Sequence, residues 1–415
     1  MNTQTAGIEP IFPQRNIPPV LIAGAGPVGC LAALYLAQHG IPVILFEGKE
    51  ELPIDLRAST FHPPTLDLLD KVGLTERLIP QGLIVREFQF RERKTGDVAR
   101  FNMARLNGET RHPYRLQCEQ FKMTRTAVEM LAQYPHAEVR YSAGVVGYRE
   151  DGESVEALIF DGDHEERVRG SFLIGADGAS SRIRQASGTK FEGLTYPERF
   201  LVVSTNFPFE HHFDNLSWVN YVSDPDEWCV MLKTPSLWRI QVPTPIDANP
   251  KDLLSDAFIE SRLQRLHAKE SPYQIAHRTL YKVHQRVAET YRVGRRVLLA
   301  GDSAHVNNPL GGMGMNGGVQ DAYNLCEKIV DIVHGRANMD QALDLYDLQR
   351  RTVCVDFIQN RTKENKAMME TKDASLQAAR QRKFMEIVGD PEREKQYLME
   401  SSMIKSWRTS YAIAA

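Results

Sequence analysis

The 415-residue sequence predicts an α/β protein. A nucleotide-type domain with a parallel sheet is interrupted by a β-rich domain and followed by helices. Three observations carry this. The chain opens as a βαβ unit with a glycine-rich first turn. Its middle alternates apolar and polar residues, the period of antiparallel strands. After residue 339 the pattern is helical throughout.

The elements follow in order. Residues 20–23 are wholly apolar, as strands of parallel sheets are. Residues 28–39 are rich in Ala and Leu and read as a helix. Gly40 stands at its left-handed cap, with Pro42 beyond. Residues 43–46 are the second strand. A helix starts at Pro63-Pro64, where Pro suits the first turn, and ends at Gly73. Residues 84–103 alternate around Thr95-Gly96, a hairpin signal. Residues 121–133 read as a helix, and 139–160 and 167–174 as strands with turns at Asp151-Gly152 and Asp161-Gly162-Asp163. Several short strands are expected over 200–243, then a helix over 252–267. Residues 296–300 are a buried strand ending in Gly301-Asp302, a loop follows, and a helix runs from about 319 to 333. Asp390-Pro391 is a helix start, with Asp as the cap. The expected division is a nucleotide domain of residues 17–80, 115–190 and 280–338, a β-rich domain of 81–114 and 191–279, and a helical C-terminal segment of 339–415.

Composition excludes several classes. Fifty Lys and Arg against 53 Asp and Glu give a net charge of -3, with no basic face for nucleic acid. Five Cys are scattered without metal-ligand spacing, so no metal site is expected. Reduced thiols and a cytoplasmic setting are the simplest reading. No signal peptide opens the sequence. Residues 16–46 carry no Asp, Glu, Lys or Arg, yet four Gly and several Pro cut them into pieces too short to span a membrane.

Gly24-Ala-Gly26-Pro27-Val28-Gly29 is a G-x-G-x-x-G between an apolar strand and a helix, the context in which that motif binds dinucleotides. The first Gly permits the tight turn, the second admits a pyrophosphate, and the third lets helix and strand pack. Free N–H groups at the helix start favour the phosphates. Glu47, followed by Gly48, ends the second strand. Its carboxylate suits the two hydroxyls of an adenosine ribose and repels a 2′-phosphate, so FAD or NAD fits better than NADP. Asp177-Gly178, with Ser181 and Arg184, forms a second strand–turn unit, and Gly301-Asp302 a third. Residues 311–318 hold five Gly, which exposes backbone N–H groups to a ligand. His305 reads as a hydrogen-bonded structural residue rather than a general base.

Three such segments in this order resemble the class A flavoprotein monooxygenases, the para-hydroxybenzoate hydroxylase-like FAD-dependent aromatic hydroxylases. The resemblance spans roughly residues 19–335. It implies the para-hydroxybenzoate hydroxylase-like fold, FAD as cofactor, and NADH or NADPH and O2 as co-substrates. It implies hydroxylation of a phenol- or hydroxypyridine-like ring through a flavin C4a-hydroperoxide. On this resemblance Asp302 holds the ribityl chain, Arg57 reaches the pyrophosphate, and Gln117 contacts the flavin region. Pro309, Gly311, Gly312 and Gly314 line the flavin face where oxygen reacts, and Met315 and Asn316 touch the flavin. Trp218, Tyr221, Trp228 and Trp238, with Pro309, are candidates for the substrate pocket, core packing being the other reading for about half of the aromatic set. A monomer or homodimer is expected. Two other readings stay open: the same fold with dehydrogenase, epoxidase or protein-oxidising chemistry, and a flavin-free binding protein.

Overall fold

The structure is a computed structural model and describes residues 17–54, 58–160, 164–224 and 226–414. Its base is a five-stranded parallel sheet in the order Val297–Leu299, Phe172–Gly175, Val20–Ala23, Val43–Phe46, Ala137–Arg140. Every residue of Val20–Ala23 and Val43–Phe46 is buried, because helices cover the sheet. The helix Pro27–Gln38 follows the first strand and packs on the helices Met313–Val333 and Gln120–Leu131.

The second layer is an eight-stranded mixed sheet. Its order is His305–Val306, Ile275–Ala288, Phe191–Thr205, Trp238–Pro245, Cys229–Lys233, Val219–Ser223, Glu87–Glu92, Val98–Asn102. The hairpin expected around Thr95-Gly96 is present, and it joins this sheet by a parallel pairing with Val219–Ser223. Alternation sorts the side chains. Leu201, Val203, Met231, Trp238, Ile240 and Val242 turn to one face and pack with Ile259 and Leu263 of the helix Asp256–Leu266. Phe200, Val219, Tyr221 and Val230 turn to the other.

Several expectations need correction. The turn expected at Asp151-Gly152 is present between strands, while the one at Asp161-Gly162-Asp163 lies outside the described residues. The region before Asp151 is divided once more. Ala137–Arg140 belongs to the parallel sheet, and the chain turns at Ser142 (φ 51°) before the antiparallel strands Gly144–Glu150 and Val155–Phe160. The short strands Val219–Ser223, Cys229–Lys233 and Trp238–Pro245 are present as expected, but two long strands join them: Phe191–Thr205 starts nine residues early, and Ile275–Ala288 spans the expected boundary at residue 280. Their pairing with each other supplies the hydrogen bonds that local alternation did not signal. The helix after the glycine-rich segment starts at Met313, not 319. Gly317 and Gly318 therefore lie inside it. A Cβ on Gly318 would stand 2.7 Å from Val28 Cγ2 and 2.9 Å from Gly301 Cα, so this Gly permits helix packing instead of exposing backbone.

The C-terminal part is helical as expected. Asp390 caps the helix Pro391–Ser401 by accepting from the N–H groups of Glu392 and Arg393. These helices close the far end of the large sheet. Phe384 stacks on Phe90 at 4.2 Å, and the Glu394 carboxylate accepts from the Asn102 N–H and the Arg105 side chain. All five Cys are buried and unpaired. Among the described residues no helix is long and apolar enough to cross a membrane.

Candidate active site

A cavity of about 700 Å³ lies between the two sheets, well inside the range of roughly 300–1,000 Å³ for ligand pockets. It is lined by Gly24, Gly26, Pro27, Val28, Glu47, Gly48, Asp177, Gly178, Asp302, Pro309, Gly311, Gly312, Gly314 and Met315. Residues from five separate stretches thus meet at one space.

The glycine turn divides its labour as the motif requires. Gly24 has φ +98°, and a Cβ there would meet the Ala176 carbonyl at 2.6 Å. A Cβ on Gly29 would stand 2.0 Å from the Gly24 carbonyl oxygen. Around Gly26 there is nothing within 4 Å, so its backbone faces open space. Gly26 is the N-cap of the helix Pro27–Gln38, and no side chain caps it. Its first N–H groups are thereby left for a ligand. The Glu47 carboxylate is oriented by the N–H groups of Ala25 (3.2 Å) and Lys49 (3.1 Å).

Asp177 accepts from the N–H groups of Arg182 (2.7 Å) and Ile183 (3.2 Å) through Oδ2, while its Oδ1 is buried without a partner. Ser181 caps the helix Arg182–Ser187 by accepting from the Arg184 N–H. The Arg184 guanidinium donates to the Ser303 and Ala179 carbonyls, which ties the Asp177 turn to the Gly301–Ser303 turn. Beneath that turn, Asp321 is fully buried and accepts from the Gly301 N–H, His305 Nε2 and Arg350 Nε. Burial pushes its pKa up, but His305 and Arg350 outweigh this and hold it below the usual carboxylate range. His305 is thus a buried partner of Asp321 and does not line the cavity.

At the other end, Gly311 (φ +103°) and Gly312 (φ +67°) turn the chain into the helix Met313–Val333, whose N-cap Gly312 also has no side-chain cap. Asn316 staples this turn. Its amide donates to the Thr60 and Gly312 carbonyls, and its oxygen accepts from the His62 N–H. His62 Nε2 lies 2.8 Å from the Gly311 carbonyl. Burial first, then the Arg115 guanidinium, pull the His62 pKa down to about 3, so the ring is neutral and donates to that carbonyl.

Some expected residues stand elsewhere. Asn316 is fully buried and its side chain is spent on the staple, so it positions the turn and does not line the cavity. Gln117 is likewise buried, with its amide engaged by the Thr60 hydroxyl. Gly29 and Gly301 are packing positions beneath the lining. Arg57 lies outside the described residues. Of the four aromatics, Tyr221 alone lines the cavity. Trp238 is fully buried on the opposite face of the sheet, with its indole N–H donating to Glu210. Trp218 points the same way, its ring 6.1 Å from that of Trp238. Trp228 stays on the cavity side but packs against Phe200. The period of two explains this: the residues that face the cavity are Val219 and Tyr221, Val230 and Leu232, and Gln241. Val219, Val230, Leu232 and Gln241, with Thr60, Arg115 and Tyr281, were missed, whereas Tyr221 stands where it was expected. Strand alternation was visible, but its phase toward the cavity was not.

The arrangement fits FAD. Two helix N-termini without side-chain caps, at Gly26 and Gly312, border one cavity. The orphaned oxygens of Asp177 and Asn307 lie at its lining residues. The FAD binding domain family matches residues 18–361, and the chain belongs to the class A flavoprotein monooxygenases, FAD-dependent hydroxylases of aromatic rings. It is similar to para-nitrophenol 4-monooxygenase of Pseudomonas sp. (strain WBC-3), with 31% identity over 94% of this chain and 96% of that protein. It is 32% identical to 6-hydroxy-3-succinoylpyridine 3-monooxygenase of Pseudomonas putida, over 83% of this chain and 87% of that one. The crystal structure of p-nitrophenol 4-monooxygenase from Pseudomonas putida DLL-E4 superposes with a TM-score of 0.88 at 29% identity, covering 94% of this chain and 98% of that one.

Proposed function

We propose that this hydroxylase acts on an acidic phenol or hydroxypyridine, with NADH or NADPH as reductant. The observation that carries this is one cavity with two unlike ends. One end offers backbone N–H groups, and the other offers Val219, Tyr221, Val230, Leu232 and Tyr281 as apolar and aromatic walls. The relatives named above act on a nitrophenol and a hydroxypyridine. FAD, once reduced, supplies the activation of O2 for transfer to an electron-rich ring.

The chain's residues do the rest. The N–H groups after Gly26 receive the pyrophosphate, Glu47 the adenosine ribose, and Asp302 the ribityl chain. The helix N-terminus at Gly312 places positive potential at the pyrimidine end, where reduced flavin carries negative charge. The apolar walls exclude water from the oxygen-transfer region. Residues 17–80, 115–190 and 280–338 hold the cofactor, apart from Arg115 and Tyr281, which reach the ring; 81–114 and 191–279 hold the ring, and 339–415 close that end. The protein works in the cytoplasm as a monomer or homodimer, which light scattering would distinguish.

The test uses the FAD-loaded enzyme with each nicotinamide, a phenol and hydroxypyridine panel, and ¹⁸O2. Substrate-stimulated NADH or NADPH oxidation with one ¹⁸O in the product is expected. Reduction without oxygen incorporation for every ring tried would overturn the substrate reading.

A further inference from the structure

Arg115 stands out at the ring end of the cavity. It is 2% exposed, yet it lines the cavity. Its guanidinium lies over the Phe88 ring at 4.1 Å, which fixes its plane, and Phe88 is itself stacked on Phe101. A ring face satisfies none of the five N–H donors of an arginine. Nε is buried without a partner, and the side chain makes no hydrogen bond or ion pair with any described residue. Such a charge is expensive to hold in a protein interior unless something pairs with it.

Among the described residues no carboxylate is placed to do so. The carboxylates lining the cavity, among the described residues, are Glu47, Asp177 and Asp302. All three belong to the glycine-turn and ribityl segments. Arg115, Tyr221, Leu310 and Gly311 instead form the wall shared by the cavity and a void of about 20 Å³ behind it. That position puts Arg115 beside the Pro309–Gly312 turn. The neighbouring His62 is held neutral by its burial and by Arg115 itself, so it does not compete for an anion.

We propose that Arg115 binds an anionic oxygen of the aromatic substrate and so selects ionised rings over neutral ones. The inference rests on the hydroxylase reading above. Guanidinium presents paired donors to a planar oxyanion, a geometry that Lys does not reproduce. The oxygen has two chemical sources, an ionised phenol or a carboxylate substituent, and the ring walls accept either.

The test compares wild type, Arg115→Met and Arg115→Lys, each loaded with FAD. Three probes are titrated by flavin fluorescence at pH 8: 4-nitrophenol, ionised at its hydroxyl; 3-(3-hydroxyphenyl)propanoate, ionised at its carboxylate; and the neutral amide of the latter. Wild type is expected to bind at least one anion at least tenfold tighter than the amide. Arg115→Met should bind that anion about 30-fold more weakly, with the amide changed less than threefold. Arg115→Lys should fall between. The anion that loses affinity identifies the oxygen. Equal binding of anions and amide by wild type overturns the proposal, as does an anion preference surviving in Arg115→Met. Loss of FAD from Arg115→Met assigns the residue to the cofactor and also overturns it. Oxygen incorporation is scored separately. An enzyme that hydroxylates only neutral rings defeats the Arg115 assignment and leaves hydroxylation standing. Anion binding through Arg115 without oxygen incorporation does the reverse.

Discussion

The two ends of the cavity are built from different materials. The glycine-turn end is made of backbone. Gly24, Gly26 and Gly29 shape it within six consecutive residues, and Glu47 and Asp177 are locked by main-chain N–H groups. The ring end is made of side chains. Tyr221, Val230, Gln241, Tyr281 and Arg115 reach it from five strands spread between residues 115 and 288. Gly24 and Gly29 tolerate almost no change of residue because an added Cβ would collide with backbone atoms. A side-chain site can be retuned one residue at a time, and this is where substrate choice belongs.

The largest test of that contrast is Gly29→Ala. Even a methyl group would fall 2.0 Å from the Gly24 carbonyl oxygen. The expected result is loss of bound FAD together with a stability loss in the exceptional class, about 4–5 kcal/mol or more. Bound FAD absorbance and a urea midpoint check it. Wild-type FAD content would show that the turn is softer than its contacts imply.

Next is Trp238→Leu, on the far face of the ring-end sheet. Its burial and its bond to Glu210 predict a stability loss of about 2–3 kcal/mol. Because Trp238 faces the helix Asp256–Leu266 and not the cavity, substrate KM should stay within twofold. A tenfold rise in KM would return Trp238 to the substrate pocket.

Asp302→Ala follows. Losing a carboxylate's hydrogen bonds to the ribityl hydroxyls is worth about 1.5–3 kcal/mol, roughly 10–100-fold in FAD affinity. The fold should survive, since Gly301 and Ser303 keep their own bonds to Asp321 and Gly175. Unchanged FAD affinity, measured by fluorescence titration, would remove Asp302 from the cofactor site.

The same contrast explains what the sequence made legible. Turns that need Gly, and helix starts such as Gly26-Pro27 and Asp390-Pro391, are local and could be read directly. Four strands of the parallel sheet were readable because buried strands are uniformly apolar, while the edge strand Ala137–Arg140, only partly buried and carrying Glu138 and Arg140, was not. The phase of the large sheet was not, since Trp238 and Gln241 sit three apart on one strand with nothing local to say which faces the cofactor. The long pair Phe191–Thr205 and Ile275–Ala288 escaped for a related reason: their hydrogen bonds are to each other across about 85 residues. Gly317 and Gly318 show the converse error. Their composition resembled an open loop, yet they serve helix packing against His305, Gly301 and Val28.

His62 gives the smallest and most specific test, because it sits where the two kinds of construction meet. Its Nε2 donates to the Gly311 carbonyl, and its Nδ1 is buried without a partner. A second proton would leave an N–H unsatisfied beside Arg115, which is why burial, and then that charge, lower the pKa to about 3. The unfolded chain takes up this proton near pH 6.5, and the folded chain does not until about pH 3. Between those values the unfolded state binds more protons, so stability falls as the pH drops. Above pH 6.5 both states are neutral at this position and the effect vanishes. From pH 6.5 to pH 5 the loss is about 2 kcal/mol. Replacing His62 with Gln keeps a donor for Gly311 and removes the titration. Whatever its stability at pH 7, His62→Gln should lose about 2 kcal/mol less than wild type on going to pH 5, read from urea midpoints at a fixed saturating FAD concentration. Parallel pH profiles for the two proteins would mean that the folded ring takes up its proton at the same pH as the unfolded one and is charged at pH 5. The Gly311 turn would then be held beside a positive charge, and not by a neutral hydrogen bond.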